Sequence, residues 1–281
     1  LLITETNVPH ADNVSYFGDG RNEAQLVYNF ALPPLTLHAL TTGDASALTQ
    51  WAADLSRPSN EVTFFNFLAS HDGIGLNPAR GILRDAEIDA LVERTLAHGG
   101  RVSYKHTADG STSPYELNIN YFDALSDPNS GEPLDRQVDR FVAAHAIMLA
   151  LAGVPGLYFH SLFGSRGWPE GVARLGHNRA VNRQKLDRAG VERELQDDRS
   201  LRRRVFQRLT ALLQARSASP AFDPHGAQRV LALSNCVFAV ERAANGARVR
   251  CVTNVSNDRQ TVQLGTEVLT LLPYQTQWID L

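Results

Sequence analysis

Cysteine and methionine are both scarce in this chain: Cys236, Cys251 and Met148 are all there is of either in 281 residues. Neither cysteine stands in a CxxC pair, which argues against thiol redox work and a cysteine-built zinc site. Two buried thiols in a reducing cytoplasm are expected. A basic excess is also missing: the net charge is -3, so no nucleic-acid partner is expected, since phosphate binding needs surplus positive charge. Arginines do crowd at Arg199, Arg202, Arg203, Arg204 and Arg208 and read as the solvated face of a helix. The longest apolar run, residues 141–152, contains His145 and is too short to span a bilayer, so no membrane partner is expected. No secretory signal opens the chain, and no repeat or low-complexity tract is present. There is no initiator Met either, and residue 1 begins within an apolar strand. The chain is therefore expected to be a fragment with sequence missing upstream.

The composition that is present, 43% hydrophobic and 20% charged, is that of an ordinary globular protein. Apolar strands are predicted at residues 1–4, 25–30, 62–68 and 156–160. Helices are predicted at 35–55, 135–151 and 199–216, the last facing inward through Leu201, Val205, Leu209, Leu212 and Leu213. Strands alternating with helices predict a parallel sheet buried on both faces. After Pro220 short alternating segments at 230–233, 236–242, 248–254, 260–264 and 276–279 predict a small antiparallel β domain, with Asn245-Gly246 as a hairpin turn. The expected boundary divides the chain into 1–219 and 220–281. Two long loops are expected, at 77–135 and 161–198. Each follows the C-terminal end of a strand, where parallel α/β folds place their sites.

Glu5 ends the first strand and Asp72 follows the third. Two carboxylates at one end of a parallel sheet suit glycosyl transfer: one protonates a leaving oxygen, the other stabilises positive charge on the sugar. Each also has a bland reading, Glu5 as a solvated strand end and His71-Asp72-Gly73 as a turn. Asp127-Pro128-Asn129-Ser130-Gly131 lacks the spacing and final Glu of a calcium loop and reads as a turn; no metal site is expected. His145, on the apolar stripe of its helix, reads as a satisfied core histidine. Trp168 reads equally as a sugar platform or as packing.

The surrounding residues carry a resemblance. ETNVPHADNVSYFG (5–18), VYNFALPPLTLHAL (27–40), FFNFLASHDGIGL (64–76), SPYELNINYFDAL (113–125) and NRAVNRQKL (178–186) resemble glycoside hydrolase family 13, the α-amylase family, in its sucrose-phosphorylase-like subfamily. The match covers nearly the whole chain in order. It implies an α/β fold consisting of the C-terminal half of a (β/α)8 barrel, strands five to eight, followed by a small antiparallel β domain. It also implies Glu5 as acid/base, Asp72 as transition-state stabiliser, and His71 and Arg179 as contacts of the donor glucose. The family's Asp nucleophile would lie upstream of Leu1. The implied chemistry is double displacement with retention, giving α-glucose 1-phosphate from a glucoside and phosphate, with no metal or organic cofactor.

Tyr115 and Glu116 match the loop that handles acceptor and phosphate. Glu116 departs from the Tyr-Gln of sucrose phosphorylases, and Asn7-Val8-Pro9-His10 departs from their pattern after the acid/base. With 164–168 (GSRGW) these features resemble the phosphorylases of glucosylglycerate and glucosylglycerol more closely. Tyr115, Glu116 and His10 are thus expected at the acceptor, with Glu116 accepting hydrogen bonds from its hydroxyls. Glycerate is the favoured acceptor, and Arg166 or Lys105 would meet its carboxylate. Sucrose phosphorylase and an amylase-family hydrolase remain alternatives. So does an inactive sugar-binding fragment without a nucleophile. A small sugar and inorganic phosphate are the expected partners, with a homodimer admitted.

Overall fold

A computed structural model describes residues 1–107 and 110–281. Strands β1 (Ile3–Thr4), β2 (Leu26–Tyr28) and β3 (Thr63–Asn66) run parallel in register Ile3 to Leu26 and Leu26 to Thr63. A second, antiparallel sheet follows, built from β4 (Ile74–Gly75), β5 (Arg101–His106) and β6 (Thr112–Asn118) in the order β4-β6-β5. The chain then returns to the parallel sheet as β7 (Val154–Pro155), beside β3. The fourth parallel strand therefore lies just ahead of the predicted 156–160. There, Gly156 packs under the Phe65 ring and the chain turns into a short helix.

The first half carries α1 (His10–Ser15), α2 (Leu32–Thr42), α3 (Ser46–Asp54), α4 (Asp85–Ala97) and α5 (Tyr121–Leu125). The single helix expected over 35–55 is two. Gly43 stops α2 in the left-handed region, φ 75°, where a side chain is strained. The loop expected at 77–135 is largely structured: α4 buries Ile88, Leu91 and Thr95, and β5 and β6 form a hairpin against β4. The prediction at 135–151 is close to the observed α6 (Leu134–Ala150), which is almost wholly buried. The loop expected at 161–198 likewise holds α7 (Phe159–Leu162) at its entry, then α8 (Pro169–Leu175), a 3-10 turn at Asn178–Asn182 and α9 (Arg188–Gln196).

Helix α10 (Leu201–Ala218) buries Val205 and Leu209, with Leu201, Leu212 and Leu213 packed at the core's edge. Its arginines are not simply solvated. Arg204 and Arg208 pair with Asp135 and Asp139 of α6, and Arg202 pairs with Glu194 and donates to the Phe163 carbonyl at 3.2 Å. Arg202, Arg204 and Arg208 fasten helices together, whereas Arg199, its side chain 90% exposed, is solvated as expected.

Strands β8 (Ala227–Val230), β9 (Val237–Ala244), β10 (Ala247–Asn254) and β13 (Thr276–Asp280) form an antiparallel sheet in the order β13-β10-β9-β8. The hairpin β11 (Gln260–Leu264) and β12 (Glu267–Leu271) lies apart. Asn245 and Gly246 both have positive φ, 52° and 78°, as the expected tight turn requires. Two faces of the sheet serve two cores. Phe238, Val240, Val249 and Cys251 join the main core with α2 and α6, while Val237, Ala239 and Val252 pack on Val262, Leu264 and Leu271. Both cysteines are free. No described helix is long and apolar enough to cross a membrane.

Candidate active site

Parallel strands send their C-terminal ends to one side of the sheet, so residues far apart in sequence meet there. Glu5 leaves β1, and residues 70–73 follow the end of β3. Sheet β4-β6-β5 folds over the same side and delivers Tyr115 and Glu116. The 3-10 turn delivers Arg179. Together with Asn7, Phe30 and Gly75 these residues line one pocket of about 260 Å³.

Five of the seven residues named from sequence, Glu5, His71, Asp72, Tyr115 and Arg179, meet there with room for a ligand. Glu116 also reaches the pocket, but its oxygens are engaged: Arg179 donates from Nε to Oε1 at 3.0 Å and from Nη2 to Oε2 at 2.8 Å, and Asn118 Nδ2 donates to Oε1 at 2.5 Å. At 4% exposure Glu116 is a buried carboxylate in a bidentate pair rather than a free receiver of hydroxyls. His10 stands apart from the pocket lining. Its ring packs 6.0 Å from Trp51 and 6.4 Å from Phe64, between sheet and helices, and burial lowers its pKa.

Asp72 is held from several sides. Arg179 Nη1 lies 3.0 Å from Oδ2, and Arg183 Nη2 2.7 Å from Oδ1. His71 Nε2 lies 3.5 Å from Oδ1. The main chain is fixed as well: Asn182 donates to the Asp72 carbonyl at 2.6 Å, Arg183 Nε to the His71 carbonyl at 2.9 Å, and Asp72 N to Ser70 Oγ at 3.1 Å. The hydrogen bond to Glu116 is the main influence raising the Arg179 pKa, so this cation is secure. Glu5 faces Tyr28, whose phenol is raised above its ordinary value by burial and then by the Glu5 charge. Sequence reasoning missed Arg183 and Asn182. Their signal was the repeated Asn-Arg of NRAVNR, which sets Arg179 and Arg183 four residues apart with both guanidinium groups on Asp72.

The glycine of His71-Asp72-Gly73 has a reason beyond a turn. A Cβ at Gly73 would lie 2.4 Å from the Leu117 carbonyl oxygen and 2.7 Å from Glu116 Cγ, so β6 approaches only because no side chain is there.

Neither cation expected to meet a carboxylate is at the pocket. Arg166 donates to Asp123 and Gln137 at 2.6 and 2.5 Å and stacks over Phe122, and Lys105 lies exposed on β5, away from the lining. Trp168 is packing: it covers Gly171 and carries Arg174 over its ring. Asp127 makes the expected turn, its Oδ1 accepting from Asn129 N at 2.8 Å. His145 is satisfied in the core, with Nδ1 donating to the Phe141 carbonyl at 2.9 Å. No cluster of potential metal ligands is found among the described residues.

No family model matches the chain. It is 49% identical over 287 residues to the glucosylglycerate phosphorylase of Allomeiothermus silvanus, covering 99% of this chain and 51% of that protein. It is 43% identical over 295 residues to the glucosylglycerate phosphorylase of Escherichia coli K12, covering 99% and 52%. In structure it resembles sucrose 6F-phosphate phosphorylase from Thermoanaerobacter thermosaccharolyticum, with TM-score 0.75 and 22% identity over 96% of this chain and 51% of that one. It also resembles the α-amylase from H. orenii, with TM-score 0.63 and 15% identity over 99% and 53%. Those two likenesses establish a shared α/β fold. The chain spans about half the length of the curated relatives it matches.

Proposed function

We propose, for a chain that belongs with the glucosylglycerate phosphorylases in the sucrose-phosphorylase-like branch of glycoside hydrolase family 13, that it is the second half of a retaining α-glucoside phosphorylase. On this reading residues 1–219 supply strands five to eight of a (β/α)8 barrel, residues 220–281 form the C-terminal β domain, and the whole enzyme is cytoplasmic. Glu5 protonates the departing oxygen of the glucoside. A carboxylate nucleophile from outside this chain takes the glucosyl group, and Asp72 stabilises the positive charge that develops on the ring. Phosphate then attacks with Glu5 as base, and α-glucose 1-phosphate leaves. His71 and Arg179 hold the donor, and Tyr115 borders the acceptor. The acceptor is glycerate, the aglycone in the names of three relatives that match 97–99% of this chain.

The observation that carries the reading is the convergence of Glu5, His71, Asp72, Tyr115 and Arg179 on one pocket, in a chain 43–49% identical to three such phosphorylases. The test is a phosphate-dependent assay of the longer protein containing this chain. Glucose 1-phosphate is expected from glucosylglycerate only when phosphate is present. Release of free glucose at a rate indifferent to phosphate would make it a hydrolase instead. Glu5→Gln is expected to lower the rate by roughly 10²–10⁴-fold, the scale of general acid catalysis, and an unchanged rate would remove Glu5 from that role.

A further inference from the structure

We propose that Glu116 is a positioning residue that acts through Arg179 on Asp72, and not a ligand of the acceptor. The inference rests on the functional reading above for the role of Asp72.

Glu116, Arg179 and Asp72 form a chain of contacts in series. Both Glu116 oxygens are taken by the Nε and Nη2 edge of Arg179, at 3.0 and 2.8 Å, and the remaining Nη1 reaches Asp72 Oδ2 at 3.0 Å. A guanidinium is planar, so fixing one edge fixes the direction of the other nitrogen. Glu116 is itself braced from behind. Asn118 donates to it at 2.5 Å, and Ser103 Oγ donates to Asn118 Oδ1 at 2.6 Å. The side chains of Arg179 and Asp72 are 42% and 23% exposed, whereas that of Glu116 is 5% exposed. The buried member thus anchors the two that face the pocket.

The charge count points the same way. Asp72 has to remain an anion aimed at the ring, and two arginines touch it. Were Arg179 free to close fully onto Asp72, it would quench the charge that stabilises the transition state. Sharing Arg179 with a second, buried carboxylate holds it at the side of Asp72 and divides its charge. Glu116 with its charge removed would release Arg179 to do the opposite.

The experiment separates the two roles by removing the acceptor. Wild type, Glu116→Gln, Arg179→Lys and the double variant of the longer protein are assayed on 4-nitrophenyl α-glucoside without phosphate or glycerate, then in synthesis from glucose 1-phosphate with glycerate or glycerol. Nitrophenolate leaves with little help from an acid, so the first assay reads ring stabilisation. Glu116→Gln is expected to lower kcat for nitrophenol release by about 10- to 100-fold, the scale of a small misplacement of a reacting group. Both acceptors should lose the same factor in kcat, with the KM for glycerate within about twofold of wild type. Residues acting in series should not add, so the double variant should be no slower than Arg179→Lys alone. Nitrophenol release at the wild-type rate together with a glycerate KM raised tenfold or more would overturn the proposal and make Glu116 an acceptor ligand. Losses that multiply in the double variant would overturn it as well. If Glu116→Gln does not fold, Glu116→Asp, which keeps the charge but shortens the reach to Arg179, is read by the same split of kcat against KM. Nitrophenol release does not depend on phosphate, so a wild type that proves to be a hydrolase sinks the phosphorylase reading while the positioning role is still decided.

Discussion

His145 shows how a single buried group ties stability to pH. It is completely enclosed by α6 and the main core, and burial lowers its pKa from 6.5 to about 4, against a smaller upward pull from the Phe141 carbonyl. The folded protein therefore keeps the ring neutral where the unfolded chain would protonate it. As a base with a depressed folded pKa, His145 leaves stability intact above about pH 6.5 and drains it as pH falls toward 4. The slope reaches about 1.4 kcal/mol per pH unit, for a total of about 3 kcal/mol. Urea unfolding at pH 7, 5.5 and 4.5 should show a flatter pH dependence in His145→Gln than in wild type; parallel curves would mean His145 does not carry it. Gly73 is a second residue whose effect follows from geometry. Gly73→Ala would put a methyl against Leu117 and Glu116, and a loss of about 1–3 kcal/mol is expected in thermal melts, as for overpacking elsewhere.

The elements differ in how openly the sequence announces them. The strand expected at 62–68, observed as β3 within it, was legible because VTFFNFL is a β-branched, aromatic run with no helical period. The β9–β10 hairpin was legible from Asn245-Gly246 alone, and its requirement is testable: Gly246→Ala at φ 78° is expected to lower stability by about 1–2 kcal/mol in thermal melts, with Asn245→Gly nearly neutral. Helix α4 was hidden because only Ile88, Leu91 and Thr95 of its thirteen residues are buried, within a sequence rich in charge. The β5–β6 hairpin was hidden for a similar reason: most of β5 faces solvent, so alternation is weak. The site shows the same divide. Glu5, His71, Asp72, Tyr115 and Arg179 were readable from their motifs. The links from Glu116 to Arg179 and from Asp72 to Arg183 join residues 63 and 111 positions apart, and no local pattern encodes either.

At the scale of the whole molecule, the expected boundary near residue 219 lies inside a continuous core. Phe238, Val240, Val249, Cys251 and Tyr274 belong to the same apolar cluster as α2, α4 and α6. Two arginines, one buried and one half-buried, reinforce the seam. Arg242, with no exposed surface, donates to the carbonyls of Ala150, Asp223 and Ala227 at 3.2, 2.7 and 3.2 Å, and Arg216 donates to those of Leu149, Gly153 and Phe222. Two of these carbonyls, Leu149 and Ala150, belong to the C-terminal end of α6, where unpaired carbonyls and the helix dipole both call for positive charge. Separating the two parts would expose one face of sheet β13-β10-β9-β8 and break the two of these bonds that cross the boundary, Arg242 to Ala150 and Arg216 to Phe222. The chain should therefore unfold as one unit despite its two architectures. Trp278 on β13 lies 4.8 Å from Phe222 at this seam, so a Trp51→Phe, Trp168→Phe variant leaves a single reporter there. Its fluorescence and the far-ultraviolet dichroism, dominated by the helices of 1–219, should change at the same denaturant concentration. Two separated midpoints, with Trp278 moving alone, would show that the β sheet folds independently and that the shared core does not bind the two parts into one cooperative unit.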